Sequence, residues 1–155
     1  EMEEQTLARL GEAEVFIASA AVADRRPKTV ARQKVKKGAG DEALTLVRTP
    51  DILAEASRRS RGARRPLLVG FAAETERVVE HAQEKLARKG LDLIAANDVT
   101  EPGAGFAAGT NRLTLVDRTG EVTPLPPMSK EDAAHALLDR LVALRQSAPK
   151  RKRRG

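Results

Sequence analysis

Apolar residues in this chain come in short continuous runs, and polar turns separate these runs from stretches with helical spacing. Glu1 to Leu10 places Leu7 and Leu10 on one side of a short acidic helix, with Gly11 as its stop. Glu14 to Ala20 is almost wholly apolar, as expected of a strand covered on both faces. Arg25 to Gly40 is a long polar connection carrying Pro27, Gly38 and Gly40. Leu44 to Val47 predicts a second strand. A helix follows to Arg58, with Thr49 as N-cap and Pro50 in its first position. Ser60 to Arg65 is a basic linker.

Pro66 to Phe71 predicts the third strand. Ala72 to Thr75 then turns into a helix running to about Lys89, which Gly90 ends. Leu91 to Ala96 is the fourth strand, closing on Asn97 and Asp98. Thr100 to Gly109, with Pro102 and three glycines, reads as loop. Asn111–Val116 and Glu121–Leu125 flank Asp117-Arg118-Thr119-Gly120, a hairpin signature. Ser129 with Asp132 three residues on opens a last helix through Ala133, Leu137, Leu138, Leu141 and Leu144. Strands alternating with helices call for an α/β domain with a mainly parallel sheet flanked by helices, and the late hairpin adds an antiparallel edge.

Composition narrows this picture. A chain of 155 residues holds one ordinary core, which sets a single domain over 1–146 and a disordered basic tail over 147–155. Net charge is +6, much of it in Lys150 to Arg154, so anionic partners are favoured although the domain itself is nearer neutral. Aromatics are 2% of residues, too few for a base-stacking platform. The absence of cysteine removes thiol nucleophiles and thiolate metal sites and fits a reducing cytoplasm. The longest apolar run, Val15 to Ala23, is too short to span a bilayer, so no membrane association is expected.

Candidate chemistry collects at strand ends, where open α/β sheets bind ligands. After the first strand come the small residues Ala18, Ser19 and Ala20, then Asp24, and further on the lysines Lys34, Lys36 and Lys37. Small residues let a ligand approach the backbone, and an acid followed by lysines suits a ribose hydroxyl and a polyphosphate. Pro50 and Asp51, Phe71 to Thr75, and Asn97–Asp98 stand at the other strand ends. On the helix after Phe71 the apolar stripe is Val78, Val79, Ala82 and Leu86. Lys85 and Lys89 fall within about 20° of Val78 on a helical wheel, inside that stripe. Either they snorkel along the helix end and complement its dipole, or they meet a bound anion at the edge of the core. His81 and His135 have no partners at metal-ligand spacing, and no Walker loop, G-x-G-x-x-G or G-x-S-x-G motif is present.

These stretches resemble the bacterial phosphopantothenate–cysteine ligase family of coenzyme A biosynthesis. The resemblance rests on ASAAVAD at 18–24, KVKK at 34–37, TPDILA at 49–54, VGFAAET at 69–75, the Lys85/Lys89 helix, LIAANDV at 93–99 and GF at 105–106, in the family's order and covering Val15 to Leu144. It implies a Rossmann-like fold and a ligase. The carboxylate of 4′-phosphopantothenate would attack the α-phosphate of CTP with Mg²⁺, releasing pyrophosphate. The amine of L-cysteine would then displace CMP from the acyl cytidylate. Carried over by motif, Ala18, Ser19 and Ala20 would meet the nucleotide through their backbones, and Asp24 would hold its ribose or base side. Lys34 would be the catalytic cation, and Pro50, Asp51, Ile52, Leu53, Phe71, Lys85 and Lys89 would complete the CTP site; the metal ligands stay unassigned.

The resemblance further implies a cytoplasmic homodimer, commonly fused behind a flavin-dependent phosphopantothenoylcysteine decarboxylase, and makes Arg25–Gly40 a flap over the substrate. The family's amino-terminal glycine-rich turn and its Asn-x-Ser-Ser-Gly-Lys segment have no counterpart here, so the reading is of the domain's carboxy-terminal, nucleotide-binding portion. Two alternatives of other classes are a noncatalytic basic module that binds nucleic acid through the tail and Arg58–Arg65, and a degenerate nucleotide-binding domain kept for assembly.

Overall fold

The structure, a computed structural model, describes residues 1–34, 36, 40, 43–60, 65–100 and 110–147. A five-stranded sheet carries the fold. Three parallel strands, β1 (Val15–Ala18), β4 (Leu67–Glu74) and β5 (Leu93–Asp98), are extended by the antiparallel pair β7 (Leu113–Asp117) and β8 (Val122–Pro124), in the order β1-β4-β5-β7-β8. Helix α1 (Met2–Arg9) precedes it, α2 (Ile52–Arg59) leads into β4, α3 (Val78–Lys89) joins β4 to β5, and α4 (Lys130–Ser147) closes the described chain. The expected α/β, Rossmann-like architecture with an antiparallel hairpin at the edge is the one observed.

Alternation along the strands divides the core into two layers. Val69, Leu93, Ala95, Leu113 and Leu115 point to one face, where Ala133, Leu137, Leu141 and Leu144 of α4 cover them. Leu68, Ile94, Ala96 and Val116 point to the other, where Leu53 of α2 and Ala82 of α3 pack. Leu138, expected inward, is exposed, because it follows Leu137 by 100° and leaves the α4 stripe. Gly70 lies under Leu53 of α2 and Leu91, which follows α3. A β-carbon there would lie 2.9 Å from Leu91 Cδ1 and 3.0 Å from Leu53 Cδ2, so a larger residue would require the tips of these two side chains to shift.

Local signals placed several boundaries well. Ser129 Oγ accepts from the Asp132 amide at 3.0 Å and donates to the Asp132 carboxylate at 2.7 Å. Gly90, at φ +63°, ends α3 with its N–H on Ala87 O and the Leu91 N–H on Leu86 O, a Schellman motif. Other expectations need correction. The second strand, β3 (Leu46–Arg48), is outside the main sheet. It pairs antiparallel with β2 (Arg25–Pro27), so the polar connection opens as a strand rather than a loop. Two further short strands, β6 (Thr110–Asn111) and β9 (Met128–Ser129), pair with each other. Strand β1 is an edge strand and only half-buried. Strands β4 and β5 both run past their apolar cores, because Ala72, Ala73 and Glu74 pair with Ala96, Asn97 and Asp98; α3 therefore starts at Val78. The loop expected at 100–109 begins with Thr100 in a turn, and Ser147, expected to open the basic tail at 147–155, is instead the last residue of α4; the rest of both stretches lies outside the described residues.

At the end of the sheet opposite the carboxyl ends of the parallel strands, two buried carboxylates hold it together. Asp92, fully buried, is gripped by Arg65 at 2.7 Å and by Arg118, and accepts the Leu68 N–H at 2.8 Å. Asp117, 2% exposed, takes the Thr119 N–H at 2.7 Å and the Arg140 Nε at 2.8 Å. Burial alone would raise the Asp117 carboxyl, but the hydrogen bonds from Thr119 and Arg140 outweigh it and hold it below the ordinary 3.8. A lowered carboxyl adds stability above its unfolded pKa, and that contribution is lost as pH falls through the folded value. Asp117→Asn is therefore expected to melt furthest below wild type near neutral pH. The gap should narrow as pH drops below about 4; a gap that stays constant from pH 7 to 3 would show that the charge is immaterial.

Candidate functional site

The carboxyl ends of β1, β4 and β5 open into a cavity of about 510 Å³, within the usual size of small-molecule sites. Its floor is the strand-end segment 18–24, continuous from Ala18 to Asp24. One wall is the start of α2, from Thr49 to Leu53. The opposite wall comes from the α4 side, with Asn111, Leu113 and Lys130. Phe71, Ala72 and Ala73 of β4 and Asn97 of β5 lie between them. Phe71 is 44% exposed, an aromatic ring presented to the opening rather than to the core.

The floor and the α2 wall are tied together by one residue. Thr49 donates its backbone N–H to Asp24 O at 2.9 Å and its hydroxyl to Ala23 O. That use of Thr49 corrects its expected role as N-cap. Asp51 caps α2 instead, with Oδ1 accepting from the Ala54 N–H at 3.1 Å. The helix therefore starts two residues later, and Pro50 precedes it rather than opening it.

The two lysines of the α3 stripe each find a carboxylate. Lys89 Nζ lies 2.8 Å from Asp51 Oδ2 and lines the cavity. Lys85 pairs with Glu74 at the end of β4 and is not part of the wall. The other oxygen of Glu74 lies 3.3 Å from His81 Nδ1. Burial pushes the Asp51 carboxyl up, but Lys89, the Ala54 N–H and Arg88 pull it further down, so it is ionised at neutral pH.

Of the residues singled out in the sequence, the cavity brings together Ala18, Ser19, Ala20, Asp24, Pro50, Asp51, Ile52, Leu53, Phe71 and Lys89. Lys34 is exposed and outside the wall, and Lys85 stands beside it on Glu74. Sequence reasoning missed Thr49 as a fastener, and Asn111 and Lys130 as wall residues. The last two come from β6 and the first turn of α4, outside the parallel strand ends where ligands were sought. Among the described residues no three His, Asp or Glu side chains converge as a metal cage, and no helix is long and apolar enough to cross a membrane.

Residues 1–144 match the model of the family described as "DNA/pantothenate metabolism flavoprotein C-terminal domain". The chain belongs to this family. It is 43% identical over 151 residues to the coenzyme A biosynthesis bifunctional protein CoaBC of Bacillus subtilis, covering 97% of this chain and 36% of that protein. With the Vibrio cholerae protein of the same name it shares 47% over 127 residues, covering 81% and 31%. The chain thus spans about a third of the length of these relatives. Among solved structures, the C-terminal domain of a CoaBC superposes with a TM-score of 0.73 at 32% identity, over 94% of this chain and 61% of that one. The family resemblance and the fold it implied are thereby shown.

Proposed function

We propose that this chain is the nucleotide-binding part of a CTP-dependent phosphopantothenate–cysteine ligase acting in coenzyme A biosynthesis. The carboxylate of 4′-phosphopantothenate attacks the α-phosphate of CTP and pyrophosphate leaves. The amine of L-cysteine then attacks the acyl carbon, expelling CMP and losing a proton as the amide forms. The observation that carries the reading is the convergence of segments 18–24 and 50–53, Phe71 and Lys89 on one cavity at the strand ends. Three supports join it: the family, the names of the relatives, and the chemistry of the wall.

In this reading the small floor residues Ala18, Ser19 and Ala20 allow a nucleotide to lie against the backbone. Asp24 takes ribose or base donors. Lys89 supplies fixed positive charge to the phosphates, the kind of preorganised electrostatic help that matters most when charge moves in a transition state. The ring of Phe71 offers an apolar surface to the base or acyl chain. Mg²⁺ is assigned to the nucleotide's own phosphates rather than to a protein cage, and no step is routed through it. The catalytic role of Lys34 and the cytoplasmic homodimer rest on the resemblance alone. A flavoprotein decarboxylase fused ahead of the domain is also supported by the relatives, which are named as bifunctional proteins and of which this chain matches about a third.

Calorimetry with CTP and ATP in the presence of Mg²⁺ tests the reading. CTP is expected to bind more tightly than ATP. Lys89→Ala should weaken CTP at least tenfold, about 1.4 kcal/mol, and Lys85→Ala should weaken it less, since its amine is held outside the wall. Equal affinity for the two nucleotides, falling steeply with salt, would instead indicate a nonspecific binder of phosphate backbones.

A further inference from the structure

Asp51 is placed where a carboxylate ought to be a liability. It lines a cavity read as taking an anionic ligand, yet it is ionised there, and its side chain is half exposed. Both of its oxygens are nevertheless engaged. Oδ1 holds the Ala54 N–H and so caps α2, and Oδ2 holds Lys89 Nζ. The positive end of the α2 dipole and the ammonium together offset its charge toward the cavity.

Lys89 has a contrary pull. It is in the last turn of α3, next to Gly90, where a lysine is drawn to the unpaired carbonyls of its own helix end. Its flexible four-carbon stem gives no preference for the cavity. The contact that brings its amine to the cavity wall is the one with Asp51, and the capping bond fixes Asp51 independently of Lys89. An ammonium has three donors, so a lysine held by one carboxylate oxygen still offers two to a ligand. Glu74 repeats the arrangement one turn earlier on Lys85.

We propose that Asp51 is a positioning residue, whose carboxylate aims Lys89 into the cavity and so sets the affinity of the site for the phosphates of its ligand. The proposal rests on the cavity being an anion site and deepens the nucleotide reading. Asp51 itself then contacts no phosphate, and its place in the cavity wall is explained without making it a ligand of the nucleotide.

A double-mutant cycle on this chain tests it, with inorganic pyrophosphate and CTP as probes, each with Mg²⁺, in a calorimeter. Asn caps a helix as well as Asp, so Asp51→Asn should melt close to wild type while binding pyrophosphate about tenfold more weakly. Lys89→Met, which keeps the apolar stem, should show a similar loss, and the double variant should bind no worse than Lys89→Met alone. A general folding defect would multiply the losses instead, so non-additivity marks positioning even if Asp51→Asn melts early. Unchanged or tighter binding by Asp51→Asn would overturn the proposal, making Asp51 a competitor of the ligand. Losses that multiply in the double variant would overturn it too, as would a wild-type chain that binds neither probe. Pyrophosphate binding that follows the cycle, with no preference for CTP over ATP, would sink the CTP reading and leave the positioning role standing.

Discussion

Asp92→Ala is expected to destabilise the chain by about 3 kcal/mol, the largest effect of any single polar replacement considered. Buried ion pairs broken by removing one partner typically cost about 3–5 kcal/mol, because an uncompensated charge is left behind. Here the carboxylate is fully buried, while its partners Arg65 and Arg118 keep 34% and 33% of their side-chain surface exposed. Both guanidiniums can turn to water, which puts the cost at the low end of that range. The backbone cannot. Leu68 N–H, near the start of β4, loses the acceptor it has at 2.8 Å, so of the two bonds between Leu68 and Asp92 only that from the Asp92 N–H to Leu68 O at 2.9 Å remains. An unpaired buried N–H costs about 1–3 kcal/mol by itself. Arg65→Ala or Arg118→Ala leaves one guanidinium in place and should cost about half as much. Urea unfolding of the three variants separates these contributions, and an Asp92→Ala loss no larger than that of either arginine would mean the carboxylate is not the hub.

The same carboxylate shows what was readable in the sequence and what was not. Asp92 sits inside an apolar run, LDLIAA, and its charge gives no local sign that Arg65, 27 residues earlier, and Arg118, 26 residues later, will meet it. Features confined to a few residues were legible. The Ser129–Asp132 box, the Gly90 stop and the Asp117–Gly120 turn all follow from capping and turn chemistry and stand where expected. Errors arose where a distant partner chose between two local options. Thr49 and Asp51 are both good N-caps, and the bond from Thr49 to the 18–24 segment decides between them. Ala72 to Glu74 looks like a turn until β5 offers it a ladder. Leu46–Arg48 reads as a sheet strand, but its pairing partner is Arg25–Pro27, which has neither alternation nor apolar content to announce it.

The candidate site divides along the same line. Its floor and α2 wall were legible, because ligands of open α/β sheets gather beyond the carboxyl ends of parallel strands and those ends can be read from the apolar runs. The placement of Lys85 and Lys89 inside an apolar stripe was visible as well, and two carboxylates are its physical reason. Which lysine enters the cavity was not visible. That depends on Glu74 being strand and Asp51 being cap, both tertiary outcomes.

Ala20→Leu is expected to weaken ligand binding by about a hundredfold, or about 2.7 kcal/mol, with little change in melting temperature. Ala20 lies in the strand-end segment on the cavity floor and is exposed to solvent rather than packed in either core layer. A leucine there meets no core residue, so folding is spared. The added methylenes occupy space that the ligand needs. Pressing extra methylenes into a filled site costs about 1–3 kcal/mol, and the bonds from Thr49 to Ala23 O and Asp24 O tie the segment to the chain entering α2, which limits how far it can give way. Ala134→Leu, on the exposed side of α4, is the matching control for hydrophobic substitution away from the cavity. CTP titrations of the two variants should differ by the full hundredfold. Equal binding by both would place the ligand somewhere other than the ends of the parallel strands, and would remove the geometric basis for a nucleotide site in this cavity.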